Sequence, residues 1–85
     1  MDLDHWRARI DEVDARLLQL INERLEYAVE IGKIKQAEGR QIRDPERERQ
    51  VLARLVQSNS GPASARAVEE IFGRIMQEAR DLERD

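Results

Sequence analysis

Arg24 and Lys35 stand eleven residues apart, three turns of a helix, and so fall on one face of the element that carries them. Two cations in that register suit an anionic ligand, and arginine meets a carboxylate with a two-pronged fork. Arg7 lies seventeen residues before Arg24 on the same face. At about 1.5 Å per residue that is roughly 25 Å, too far to share one small-molecule site within a chain. In an antiparallel pair of chains, Arg7 of one enters the site built by Arg24 and Lys35 of the other. Asp44, Arg47 and Glu48 cluster at a second helix start, where free N–H groups also favour anions. Glu83 follows Phe72, Met76 and Ala79 at helical steps. Cations converging from separate elements fit a ligand with two carboxylates.

Each of these residues also has a plainer reading. Arg24 and Lys35 can be salt-bridged within a helical seam. Arg7, near a helix end, can simply reach solvent. The run Glu46-Arg47-Glu48-Arg49 alternates in sign, as a solvated face does. Asp44 is accounted for as a helix cap, and Glu83 as a solvated residue near the chain's end. Asp14 reads as structural, His5 as surface, and Trp6 as a core or interface anchor.

The positioning element is one long helix. Alternating steps of four and three pick out Leu3, Arg7, Ile10, Asp14, Leu17, Ile21, Arg24, Ala28, Ile31 and Lys35. That is an a/d stripe of the kind that faces another helix. Arg7, Arg24 and Lys35 interrupt it, and a cation on a packing seam is costly unless an anion meets it. Either the seam holds internal salt bridges or it lines a pocket for an anionic ligand.

This helix is predicted from Leu3 to Glu38, capped by Asp2 or Asp4 and ended by Gly39. Gly32 inside it weakens it slightly and permits close approach by another chain or a ligand. Residues 39–43 read as a loop. Asp44 caps a second helix with Pro45 at its first position, and Val51, Leu52, Leu55 and Val56 form its apolar face. Residues 57–61 break the pattern, and Pro62 is predicted to open a third helix. Its stripe is Val68, Ile71, Phe72, Ile75, Met76, Ala79 and Leu82. Two shorter helices cannot cover the long one, so a homodimer with paired long helices is expected.

The chain is one small domain, residues 1–85, short enough that oligomerisation is a natural source of stability. It has no cysteine and one histidine, so a Cys/His zinc site and a Ser-His-Asp or Cys-His grouping are not expected. A net charge of −3 and three aromatic residues argue against nucleic acid as a partner. No apolar run approaches the ~20 residues of a membrane span, and a cytoplasmic protein is expected.

Five segments in order resemble the all-α class of chorismate mutases. They are Arg7 to Asp14, Leu17 to Arg24, Ile31 to Lys35, Asp44 to Arg49, and Ile71-Phe72 with the helix after it. The resemblance implies an all-α fold: three helices per chain, one long and two shorter, in an intertwined homodimer with two sites. It implies the Claisen rearrangement of chorismate to prephenate, toward phenylalanine and tyrosine, with no cofactor and no metal. By the same resemblance, Arg7 from the partner chain and Arg24 hold the substrate's carboxylates. Lys35 hydrogen-bonds its ether oxygen, and Asp44, Arg47 and Glu48 position the ring hydroxyl and its surroundings. Many members have a serine where this chain has Ala79, so one carboxylate donor is missing. Many have glutamine where this chain has Glu83. Members with glutamate there include mutase domains fused to prephenate dehydratase, so fusion to or association with another aromatic-pathway enzyme is in keeping.

The implied reaction is unimolecular. It needs a chair-like diaxial conformer held in place and charge stabilised on the breaking ether oxygen. A carboxylate cannot donate to that oxygen, so Glu83 must be protonated to serve. Two other readings stand beside this one. An isochorismate–pyruvate lyase would share the fold and the substrate shape. A non-catalytic helical dimerisation or regulatory module would keep the apolar seam without needing Arg7, Arg24, Lys35 and Glu48 together.

Overall fold

The computed structural model describes residues 1–84 and contains three helices: α1 (Leu3–Glu38), α2 (Pro45–Ser58) and α3 (Ala65–Glu83). Thirty-six residues make α1 about 54 Å long at the helical rise, and the longest dimension of the molecule is 55 Å. Asp2 caps α1 by accepting the His5 N–H at 2.9 Å. Gly39 ends it with φ 69°, a left-handed conformation that costs glycine nothing. There the Gly39 N–H reaches the Gln36 carbonyl and the Arg40 N–H reaches that of Lys35, so a Schellman motif satisfies the last carbonyls.

Asp44 and Pro45 start α2 as expected, with the Asp44 carboxylate accepting the Arg47 N–H at 3.1 Å. Pro62 does not start α3. Ser64 does, its hydroxyl accepting the Ala67 N–H at 3.0 Å. The intervening loop is shaped by Asn59, whose amide donates to the Ala63 carbonyl at 2.7 Å and accepts the Gly61 N–H at 3.2 Å. An asparagine side chain thus holds Pro62 in a turn, three residues before the helix begins.

The helix α3 packs against both α1 and α2, while α1 and α2 do not approach each other. The small core follows this arrangement. Ala28 and Gly32 are the buried residues of α1, Val51 that of α2, and Val68, Met76, Ala79 and Glu83 those of α3. The small residues of α1, one turn apart, let α3 come close. Gly32 does admit a close approach, but the neighbour is α3 of the same chain: a Cβ built there would meet the Glu83 Cα at 2.8 Å.

The chain is exposed throughout residues 1–20, the first half of α1 included. Leu3, Trp6, Ile10, Val13 and Leu17 along it keep roughly half or more of their surface in solvent. Trp6 is therefore not a core anchor of the single chain. The seam read from the sequence is filled within the chain only near its C-terminal end.

Candidate active site

The gap between α1 and α2, floored by α3, is a cavity of about 480 Å³. From α1 it is lined by Arg24 and Lys35, with Tyr27, Ala28 and Ile31 between them. Asp44, Arg47, Glu48 and Val51 line it from the start of α2, with Ile42 from the loop before. Met76, Ala79, Arg80 and Glu83 rise from α3. Every site residue expected from the sequence is here except Arg7, which lies exposed on the unpartnered part of α1.

Lys35 is held from two sides. Its Nζ donates to the Ile42 carbonyl at 2.7 Å and lies 3.7 Å from the Glu83 carboxylate. The first contact pins the loop between α1 and α2, and the second ties α1 to α3. Both side chains are largely shielded, at 16% and 9% exposure. Glu83 is thus not the solvated terminal residue of the plainer reading. Its backbone is clamped as well, because the Gln36 amide donates to the Glu83 carbonyl at 3.1 Å. A helix end leaves its last carbonyls without partners, and Gln36 supplies one.

Arg24 and Arg47 differ from Lys35. Among the described residues neither has a carboxylate within salt-bridge distance. Of the two readings of the seam, internal pairing therefore applies to Lys35 and not to Arg24. Asp44 acts as the cap of α2, and its carboxylate occupies the Arg47 N–H at the helix start. Ala79 is buried and carries no donor.

Arg80 was not singled out from the sequence. It lies between α2 and α3, its Nη1 donating to Glu48 at 2.6 Å and its Nη2 to Gln77 at 2.6 Å. Its position one turn after Met76 on the apolar stripe was the available signal. Tyr27 was also missed. Its hydroxyl donates to the Glu23 carboxylate at 2.9 Å, and this hydrogen bond, with the negative charge of Glu23, raises its pKa above the ordinary tyrosine value. The cavity lining thus holds four cations against three carboxylates, set among apolar side chains such as Ile31, Val51 and Met76. Such a lining suits an anionic ligand with an apolar body.

A three-helix chain with a cation-lined cavity between its long helix and its two short ones defines a class, and the comparisons name it. The profile of chorismate mutase type II matches residues 6–84, and the chain belongs to that family. A solved chorismate mutase (Form II) from Thermus thermophilus superimposes with a TM-score of 0.94 at 32% identity, covering 96% of this chain and 93% of that one. A chorismate mutase from Helicobacter pylori, solved in complex with prephenate, gives a TM-score of 0.89 at 30% identity, covering 96% and 89%. The bifunctional chorismate mutase/prephenate dehydratase of Neisseria gonorrhoeae is 41% identical over 78 residues, which is 92% of this chain and 21% of that protein. The T-protein of Haemophilus influenzae is 38% identical over 91% of this chain and 21% of its own length. The chain thus spans about a fifth of the curated relatives it matches. No helix among the described residues is long and apolar enough to cross a membrane.

Proposed function

We propose that this cavity catalyses the rearrangement of chorismate to prephenate and that the working form is a homodimer. The observation that carries the reading is the convergence of Arg24, Lys35, Arg47, Glu48 and Glu83, from three helices, on one cavity. Family membership and the prephenate-bound Helicobacter pylori relative support it.

Arg24 has no ion-pair partner among the described residues and takes one carboxylate of the substrate. The ammonium of Lys35, held by Ile42 and Glu83, is aimed at the ether oxygen whose bond breaks. Glu83, beside it, donates to the same oxygen in its protonated form. Asp44 keeps the start of α2 in place, Arg47 and Glu48 meet the ring hydroxyl and its surroundings, and Ala79 leaves room without offering a donor. The second carboxylate takes Arg7 from the other chain. The exposed apolar residues of α1 support that assembly, since a face of this size is rarely left in water.

No proton need leave the substrate and no bond to the protein need form. The work is selection of the diaxial conformer and stabilisation of the developing charge on oxygen. A millionfold acceleration corresponds to about 8 kcal/mol, within reach of a few shielded charge-assisted contacts and conformer selection.

The test is NMR analysis of product after incubating the purified chain with chorismate, alongside Arg24→Ala. Prephenate from the first and essentially none from a folded Arg24→Ala is the expected result. No turnover of chorismate by a folded dimer would overturn the reading, and pyruvate from isochorismate would put the lyase in its place.

A further inference from the structure

Arg80 is the one cation of the cavity whose place the proposed chemistry does not use. Its guanidinium is held at both ends, by Glu48 at 2.6 Å across the gap between helices and by Gln77 one turn back on α3. Gln77 is itself steadied, its amide donating to Asp81 at 3.0 Å. The Arg80–Glu48 pair is shielded, with side-chain exposures of 15% and 23%. A fork this constrained has given up its rotamer freedom before any ligand arrives.

The consequence lies in the charge of the site. Counted within one chain, with Glu83 as the carboxylate paired to Lys35, the wall carries Arg24, Lys35, Arg47 and Arg80 against Asp44, Glu48 and Glu83, a surplus of one positive charge. Without it the wall is neutral and the Glu48 carboxylate is bare. A shielded, unpaired carboxylate repels a dicarboxylate ligand and is itself costly to bury. Glu48 can therefore meet a neutral hydroxyl beside a dianion only if its charge is answered by a neighbouring cation.

We infer that Arg80 is a positioning residue that neutralises and orients Glu48, so that the cavity accepts a dianionic substrate. The inference rests on the proposed mutase reading and adds to it a residue that acts through Glu48 rather than on the substrate.

The experiment compares Arg80→Lys and Arg80→Gln in the full chain, each with and without Glu48→Gln, by steady-state kinetics on chorismate. Lysine keeps the charge. Glutamine keeps a donor and loses the charge. Arg80→Gln is expected to raise KM about tenfold with kcat changed much less, the size of one charge-assisted contact. Arg80→Lys is expected to stay within about threefold of the starting chain, and in the Glu48→Gln background the Arg80→Gln effect is expected to shrink below about twofold. Equal KM for the lysine and glutamine variants would overturn the inference. So would an Arg80→Gln effect that persists undiminished when Glu48 is already glutamine, because the guanidinium would then be touching substrate. A starting chain that does not turn over chorismate would fail the mutase reading itself, a result separate from either of these.

Discussion

The backbone of Gly32 lies against that of Glu83, so close that a Cβ on the glycine would sit 2.8 Å from the Glu83 Cα and 3.0 Å from its carbonyl oxygen. The obstacle is backbone, which cannot swing aside as a flexible side chain does. Gly32→Ala must therefore push the end of α3 away from α1 and carry Glu83 away from Lys35. The expected cost is about 1–3 kcal/mol of stability, as for other overpacked interiors, with a fall in kcat larger than the change in KM. Denaturant unfolding and steady-state kinetics on the same variant check both.

Glu83 sits 3.7 Å from the Lys35 ammonium, and only as an acid can it donate to an ether oxygen. An amide at this position carries a donor outright. Glu83→Gln is accordingly expected to raise kcat/KM and Glu83→Ala to lower it, with steady-state kinetics on chorismate as the check. A Glu83→Ala variant as active as the starting chain would remove Glu83 from this role.

Arg7 and Arg24 are on one helix but too far apart to serve one ligand, which makes the two-chain site testable by mixing. Arg7→Ala and Arg24→Ala should each be nearly inactive alone. After unfolding and refolding together, about half of the dimers are mixed, and each mixed dimer has one site with both arginines intact. Activity should return to about a quarter of the unmutated level. No recovery, with mixed dimers shown to form, would mean that Arg7 does not cross between chains.

Tyr27 is the chain's only tyrosine, so its titration can be read directly by ultraviolet absorbance. The hydrogen bond to Glu23 favours the protonated phenol, so the midpoint should lie above that of free tyrosine. The contact is present below that midpoint and is lost as pH rises through it. Glu23→Gln removes the carboxylate and should bring the midpoint back down.

Much of this arrangement was legible in the chain, and the parts that were not share a cause. Asp44-Pro45 and Gly39 announce helix ends through local backbone chemistry, which needs no tertiary information. The register of Arg24 and Lys35 follows from helix geometry alone. Pro62 misled because proline at a first helical position is a local preference, and Asn59 overrode it by bonding across the loop to Ala63 and Gly61. Gly32 permits a close neighbour on sequence grounds, but which neighbour depends on how α3 returns. Arg80 escaped because its partner Glu48 is 32 residues away, and an arginine beside an apolar stripe looks the same whether it faces water or a cavity.

The missing contact between α1 and α2 bears on how the cavity responds to what fills it. Within one chain, nothing holds the two walls together except the helix beneath them and the loop that joins them at one end. A ligand that grips Arg24 and Lys35 on one wall and Arg47 on the other becomes the third side of a triangle otherwise closed on two. Occupancy should then brace the molecule as a crosslink does, and thermal resistance should climb with ligand concentration by mass action. Heat stability and substrate affinity would be two measures of one bond network, and a change that loosens one should loosen the other.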